Sequence, residues 1–234
     1  MSPTRWAATV GEAPAIELDG LVRRYGERTA LDGVSVAVPL GATLVVFGPN
    51  GAGKSTLLRV LATLLRPQGG AARVLGCELP REGWKVRGRV GLLGHEPLLH
   101  HDLTARENLR FHARLHGVAF ERIDALLEQV GLPLRADEPV RELSRGMVQR
   151  VAACRAVLHE PEVLLLDEPT ANLDPAAADA LEPLVGRSSG RTRVVTSHDP
   201  ARGLEQADVV LGLRAGRAEL SGAATEAEVR ELYR

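Results

Sequence analysis

Hydrophobic and polar residues are spaced along the chain in two ways, one typical of strands and one typical of helices. Segments of the two kinds alternate. Leu44–Phe47 is apolar at every position, as expected of a strand covered on both faces of a sheet. Ile16–Val22 and Val34–Val38 alternate imperfectly between apolar and polar residues, and they predict half-buried strands. Further strands are predicted in the second half of the chain, at Val163–Leu166, Arg193–Thr196 and Val209–Leu213.

Segments of helical periodicity separate these strands. Ser55–Leu65 carries leucines at helical spacing and follows a glycine-rich turn. Thr104-Ala-Arg-Glu107 has the form of a capping box, and Asn108–Leu115 continues the helix that it opens. Ile123–Val130 predicts a short amphipathic helix, and Ser144 opens another helix. The helices between Thr104 and the strand at 163 therefore form one continuous helical stretch.

Strands that alternate with helices predict an α/β fold with a mainly parallel sheet, here interrupted by a helical insertion. We expect one domain over residues 15–234, with an α/β core at about 15–95 and 160–222 and a helical subdomain at about 96–159. Residues 1–14 lack the continuous apolar stretch of a signal peptide and are expected to be disordered. One short helix is expected after Gly222.

Composition and charge limit the partners and the kinds of site that the protein is expected to have. The 29 basic and 30 acidic residues give a formal charge of −1, so no basic field favours a nucleic-acid partner. The longest apolar stretches are far shorter than the roughly 20 residues that span a bilayer. Cys77 and Cys154 have neither metal-ligand nor redox spacing and are expected to be reduced. The sequence predicts a soluble protein whose membrane role, if it has one, depends on a partner.

The turn after Leu44–Phe47 matches the phosphate-binding pattern G-x-x-x-x-G-K-(S/T). Glycines let successive backbone N–H groups approach phosphate oxygens, and the next helix begins with partial positive charge. Lys54 can reach the β- and γ-phosphates of ATP, and the Ser55 hydroxyl can bind Mg²⁺. A chance glycine-rich turn is the alternative, and the position between a buried strand and a helix argues against it. The residues expected to bind nucleotide here are Gly48, Pro49, Asn50, Gly51, Ala52, Gly53, Lys54, Ser55 and Thr56.

Two acidic residues, Asp167 and Glu168, end the hydrophobic strand at Val163–Leu166. Beside the phosphate loop, Asp167 can hold Mg²⁺ and Glu168 can orient and deprotonate the attacking water. A solvated strand end is the structural alternative, and the upstream phosphate loop makes it the weaker interpretation. The sequence therefore predicts an enzyme that binds MgATP and hydrolyses it.

The segment Leu143-Ser-Arg-Gly-Met-Val-Gln149 is similar to the L-S-G-G-Q signature of ABC transporter ATP-binding subunits. The resemblance runs from about Ile16 to Leu220, and its elements occur in the family's order. These elements are Tyr25, the phosphate loop, His95-Glu96, the signature, Asp167-Glu168, Ala171–Asp174 and His198. The resemblance implies a P-loop NTPase (RecA-like) core with an antiparallel β subdomain and an inserted helical signature subdomain.

The resemblance also implies roles for residues outside the phosphate loop. Tyr25 would stack on adenine, where a packing role is the alternative. Ser144 and Gly146 would meet the γ-phosphate held by a second subunit, which implies a head-to-tail dimer with two ATP molecules between the subunits. Asp174 would cross the dimer interface; as residues alone, Ser144 and Asp174 are equally typical of helix N-caps.

His198 completes the catalytic set that the resemblance implies, together with Lys54 and Glu168. It follows the strand at Arg193–Thr196, where a histidine can contact the γ-phosphate and hold Glu168 and water in place. A structural histidine at the end of a strand is the alternative. The implied cofactors are ATP and Mg²⁺.

Two positions depart from the family's pattern. Gly94-His-Glu-Pro97 carries Glu96 where the family has a glutamine that contacts Mg²⁺ and the membrane subunit. Glutamate keeps a hard oxygen for Mg²⁺ but adds negative charge, so Glu96 either binds the metal or turns toward an arginine. In the signature, Arg145 and Met147 replace a glycine and a glutamine. Ser144 and Gly146 are retained.

His112 and His116 are spaced i, i+4 on a predicted helix, a pattern that can bind a metal. The alternative is an ordinary polar helix face near a subunit interface.

Gly94-His-Glu-Pro97 and the following Asp102–Phe111 stretch most resemble the haem-exporter ATPases of bacterial cytochrome c maturation. Exporters of drugs or polysaccharides share much of this pattern and remain the alternative. The resemblance implies integral membrane permease subunits as partners and a location at the cytoplasmic face of the cell membrane. A soluble, non-transport ABC ATPase and a regulatory module that scarcely hydrolyses ATP are the alternatives of other classes.

Overall fold

A computed structural model describes residues 13–171 and 173–234. The predicted disordered terminus, residues 1–14, lies almost wholly outside the described residues. Strands within the described part are Ile16–Tyr25 (β1), Arg28–Val38 (β2), Thr43–Phe47 (β3), Gly69–Val74 (β4), Cys77–Leu79 (β5), Val90–Leu93 (β6), Val163–Asp167 (β7), Thr192–Thr196 (β8), Val209–Arg214 (β9) and Arg217–Gly222 (β10). The α-helices there are Lys54–Leu61 (α1), Gly83–Val86 (α2), Ala105–His116 (α3), Glu121–Gln129 (α4), Arg145–Val157 (α5), Pro175–Val185 (α6), Pro200–Gln206 (α7) and Glu226–Glu231 (α8).

The larger sheet has the strand order β10-β9-β3-β8-β7-β6. All neighbours in it pair parallel except β10 and β9, which form an antiparallel hairpin. Every residue of β3, β7 and β8 is buried, as expected of parallel strands covered on both faces. The carboxyl ends of these three strands therefore lie side by side at one edge of the sheet, and the predicted mainly parallel α/β core is confirmed.

The smaller sheet is antiparallel, with the order β2-β1-β4-β5. The β1–β2 hairpin turns between Tyr25 and Arg28, which are paired across the strands. Its inner face shares a hydrophobic core with α1 and one face of the larger sheet. Pairing with β1 extends β2 back to Arg28, well before the predicted start at Val34. The antiparallel β subdomain implied by the resemblance is thus present.

Helices α3, α4 and α5 form the helical insertion between β6 and β7. They pack around a second hydrophobic core that continues onto the opposite face of the larger sheet. Cys154 lies in this core with a free thiol, and burial raises its pKa to about 12. Cys77 is a half-buried free thiol in β5. Both cysteines are therefore unpaired, as the sequence predicts.

Helix α1 ends earlier than its leucine spacing predicts. It stops at Leu61 rather than Leu65, because Thr63 adopts a left-handed conformation with φ of 62°. The backbone N–H groups of Leu64 and Leu65 turn back to the carbonyl of Arg59. As a result Leu64 is 60% exposed instead of continuing the buried helix face.

Asn108 in α3 fixes the loop that leads into the helical insertion. Its side chain is fully buried and accepts a hydrogen bond from the His100 backbone N–H at 2.7 Å. Its amide group donates to the carbonyls of His100 at 3.0 Å and Thr104 at 2.9 Å. Thr104 in turn forms the predicted capping box with Glu107. One buried amide thus gives the His100 N–H an acceptor, and it adds a second donor to two carbonyls that already accept from backbone N–H groups.

We expect Asn108→Ala to lower the free energy of unfolding by about 2–3 kcal/mol, because it removes a fully buried side chain together with its hydrogen bonds to the loop. Urea denaturation followed by circular dichroism measures the change. Leu115→Ala is the matched control on the same helix, since Leu115 is 65% exposed and its truncation should cost no more than about 0.5 kcal/mol. Equal effects from the two substitutions would contradict the role given to the Asn108 side chain.

Candidate nucleotide-binding site

The phosphate loop connects the end of β3 to the start of α1, and its first and last glycines have no room for a side chain. Gly48 has a φ of 142°, and a Cβ there would lie 2.1 Å from the carbonyl oxygen of Leu213. Gly53 has a φ of 111°, and a Cβ there would lie 2.3 Å from the carbonyl oxygen of Ala30. The loop is therefore held tightly between β2 and β9, and both positions require glycine.

Lys54 is the first residue of α1, and its ammonium group folds back into the loop. Its Nζ donates to the Gly48 carbonyl at 2.6 Å and to the Pro49 carbonyl at 3.3 Å. Burial lowers the pKa of Lys54, while the nearby carboxylates of Glu168 and Asp167 oppose that shift. The first N–H groups of α1 have no intrahelical acceptor, so cation and helix end together form a site for an anion.

A cavity of about 310 Å³ lies over the loop. It is bounded on one side by Tyr25 and Arg28 from the β1–β2 hairpin and on another by Glu168. The Tyr25 ring is 42% exposed, and the Arg23 guanidinium lies 4.8 Å from its centroid. The predicted phosphate-loop residues that line the cavity are Asn50, Gly51, Ala52, Gly53, Lys54, Ser55 and Thr56.

Asp167 ends β7 almost fully buried, with 9% of its surface exposed. The Ser55 hydroxyl donates to its Oδ2 at 2.8 Å, and the Thr196 hydroxyl donates to its Oδ1 at 2.7 Å. Two oxygen-bearing side chains from α1 and β7 thus meet beside the loop, a donor set that suits a hard cation such as Mg²⁺.

Glu168 adopts a left-handed backbone conformation, with a φ of 52°, which is unfavourable for a residue other than glycine. Its N–H donates to the Thr196 hydroxyl at 3.0 Å, and its carboxylate contacts the His198 Nε2. The three predicted residues Lys54, Glu168 and His198 therefore come together at one edge of the sheet. Thr196, which the sequence reasoning missed, is the hydroxyl that joins the two acidic residues.

Glu96 is exposed in the loop after β6 and lines a cavity of about 260 Å³ together with Ser55 and Asp167. Within the described residues it forms no ion pair with an arginine. Glu96 therefore shares a cavity with Ser55 and Asp167, the two side chains whose oxygens suit a hard cation.

Ser144, Gly146 and Asp174 do not line the phosphate-loop cavity of their own chain. Ser144 caps α5 and accepts a hydrogen bond from the Met147 N–H at 3.3 Å. Asp174 caps α6 and accepts one from the Ala177 N–H at 2.8 Å. The structural interpretation as N-caps holds for both residues, and the ends of both helices remain accessible.

The predicted histidine pair on α3 has a structural explanation. His116 stacks on His159 with 4.1 Å between ring centroids, and burial lowers the pKa of His112 to about 4. Among the described residues no group of three or more His, Cys, Asp or Glu side chains is arranged to hold a metal ion. None of the described helices is long and apolar enough to cross a membrane.

Known proteins are similar to this chain over most of its length. The family described as ABC transporter matches residues 31–171. The daunorubicin resistance ATP-binding protein DrrA3 of Streptomyces coeruleorubidus is 42% identical over 220 residues, which cover 91% of this chain and 69% of that protein. The Nod factor export ATP-binding protein I of Ralstonia nicotianae is 38% identical over 197 residues, 81% of this chain and 61% of that protein. The chain thus spans about two thirds of the length of these relatives, whose names do not support the predicted haem exporter.

A solved dimeric ATP-binding cassette in a post-hydrolysis state, bound to ADP and phosphate, superimposes with a TM-score of 0.79. It is 26% identical, and the match covers 88% of this chain and 97% of that one. Since the family match and the relatives both extend over most of the chain, this chain belongs to the ABC transporter family, in which it is an ATP-binding domain that hydrolyses ATP.

Proposed function

We propose that this chain is the ATPase subunit of a transporter that exports a small molecule of the kind named for its relatives, a drug or a Nod-factor-like compound. The observation that carries the proposal is the cluster at the phosphate loop, where Lys54 and Glu168 line one cavity. Asp167 is bonded to Ser55 of the same cavity, and His198 contacts Glu168. The names of the relatives support export of these compounds in particular.

In this proposal the residues at the phosphate loop have different roles in ATP hydrolysis. Lys54 exchanges its hydrogen bonds to loop carbonyls for the β- and γ-phosphate oxygens, and the N–H groups of the loop bind the remaining oxygens. Ser55, Asp167 and Glu96 would hold Mg²⁺, which would supply positive charge next to the phosphates. Glu168 accepts the proton of the attacking water. His198 holds the Glu168 carboxylate toward that water.

Tyr25 is the proposed adenine platform. Arg23 covers one face of its ring, so the base stacks on the other face, at the opening of the cavity. A guanidinium on the far side of the ring also limits its motion.

Ser144, Gly146 and Asp174 are proposed to act on the nucleotide of a second copy of this chain. Two observations support this proposal. None of the three residues lines the phosphate-loop cavity of its own chain. The N-terminus of α5, which Ser144 caps, carries partial positive charge and can bind an anion. Two chains arranged head to tail then close over two ATP molecules. Permease subunits in the membrane would hold this dimer at the cytoplasmic face.

Haem export for cytochrome c maturation is retained as a second candidate because of the segment Gly94-His-Glu-Pro97. Glu96 in that segment replaces the glutamine typical of the family. The two candidates differ in phenotype, so deletion of the gene distinguishes them.

We expect Glu168→Gln to lower hydrolysis by at least about 100-fold while ATP binding is retained, because the amide cannot accept the proton of water. ATP should then hold the variant as a dimer, seen by size-exclusion chromatography with multi-angle light scattering. Glu162→Gln, at the opposite end of β7, is the control and should behave as the wild type. A Glu168→Gln protein that still turns over ATP would remove Glu168 from the mechanism.

We expect Thr196→Val to lower kcat about tenfold and to raise the Mg²⁺ concentration needed for half-maximal activity. The substitution removes the hydroxyl that donates to Asp167 and accepts from the Glu168 N–H. Loss of these two hydrogen bonds should destabilise the site by about 1–3 kcal/mol. Thr196→Ser restores the hydroxyl and should keep most of the activity. Steady-state hydrolysis over a Mg²⁺ titration makes the measurement, and equal activity in the two variants would refute the role of the hydroxyl.

Deletion of the gene should increase sensitivity to daunorubicin or block release of a Nod-factor-like compound, while cytochrome c levels stay unchanged. Complementation with the wild type should restore growth, and complementation with Glu168→Gln should not. A selective loss of mature cytochrome c would instead favour the haem-export candidate.

A further inference from the structure

Tyr233, two residues beyond α8, reaches the catalytic edge of the larger sheet. Its hydroxyl accepts a hydrogen bond from the Gly48 N–H at 3.2 Å and donates one to the Ser197 carbonyl at 3.3 Å. Gly48 is the first residue after β3, and Ser197 is the first after β8. A single phenol therefore connects the ends of two neighbouring parallel strands, one carrying the phosphate loop and the other carrying His198.

The approach of Tyr233 is built into the fold at several points. Thr225 and Glu228 form a capping box that starts α8. Val229 and Leu232 are buried against the larger sheet, and a Cβ on Gly212 of β9 would lie only 2.7 Å from Leu232. The glycine thus leaves the space into which the last turn of the chain packs, and this packing directs Tyr233 toward the loop.

Both hydrogen-bond partners of Tyr233 lead directly to proposed catalytic groups. The carbonyl of Gly48 accepts from the Lys54 ammonium, so the same residue links the phenol and the cation. Ser197 precedes His198, whose ring centroid lies 6.4 Å from that of Tyr233. Burial raises the pKa of Tyr233, so the phenol stays protonated near neutral pH and keeps both its donor and its acceptor.

We infer that Tyr233 is a positioning residue for ATP hydrolysis, which holds the start of the phosphate loop and the His198 loop at a fixed separation through its hydroxyl. The inference depends on the proposed roles of Lys54 and His198. Ground-state binding of ATP draws on many loop N–H groups, whereas the placement of His198 and Glu168 matters most when water attacks. Loss of the hydroxyl should therefore reduce kcat more than ATP affinity.

The test compares Tyr233→Phe with the wild-type full chain in single-turnover hydrolysis of radiolabelled ATP. We expect the rate to fall about tenfold, which corresponds to about 1.4 kcal/mol for loss of a bridging hydrogen bond. The Kd for ATP should change less than twofold, and the melting temperature should stay close to that of the wild type.

Arg214→Ala is the matched control. Arg214 donates to the Glu231 carbonyl at 3.2 Å, so this variant also removes a contact that anchors α8, but one without a bond to Gly48 or Ser197. Its rate should equal that of the wild type. A Tyr233→Phe rate equal to wild type, a loss expressed only in the Kd for ATP, or an equal loss in Arg214→Ala would each overturn the inference. His198→Ala is run in parallel: full activity in that variant would reject the proposed role of His198 and, with it, the inference that Tyr233 acts through the His198 loop. A slow His198→Ala together with a wild-type rate in Tyr233→Phe would overturn the inference alone.

Discussion

The hydrogen bond from the Thr196 hydroxyl to Asp167 joins the ends of β8 and β7, and the arrangement of the site depends on it. A carboxylate as buried as Asp167 is unfavourable unless hydrogen-bond donors surround it. Thr196 supplies one donor and Ser55 of α1 supplies another. The same Thr196 oxygen accepts from the Glu168 N–H, so the phosphate-loop helix and both acidic residues are fixed relative to one another.

That fixed arrangement stabilises a backbone that is locally strained. Glu168 has a positive φ, which costs on the order of 1–3 kcal/mol for such a residue, and the phosphate loop turns through glycines that admit no Cβ. The hydrophobic cores on the two faces of the larger sheet offset this cost. The strain has a consequence for chemistry, because the left-handed turn directs the Glu168 carboxylate to His198 instead of along the strand.

Local patterns were sufficient to predict the parts of the site that are contiguous in sequence. Gly48–Ser55 and Asp167-Glu168 each combine a buried strand with the functional residues that follow it, so periodicity and motif together located them. Thr196 and Tyr233 could not be found this way, since their roles arise only when β8 pairs with β7 and the end of the chain packs against β9. The end of α1 was mispredicted for a related reason. The left-handed Thr63 reverses the chain there, although the leucine spacing continues.

Helix α5 connects the two halves of the proposed two-sided site. Ser144 caps its first turn, while near its last turn the half-buried Arg155 donates to the Leu92 carbonyl at 2.6 Å. Leu92 lies in β6, two residues before the segment that carries Glu96. Burial lowers the pKa of Arg155 to about 10, so its guanidinium remains charged and the contact remains a charge-assisted hydrogen bond at neutral pH. Helix α5 is therefore joined, near the end opposite Ser144, to the strand that leads into the segment carrying Glu96. The proposed contact with the other chain's nucleotide is therefore connected to the position of Glu96 through one helix and one hydrogen bond.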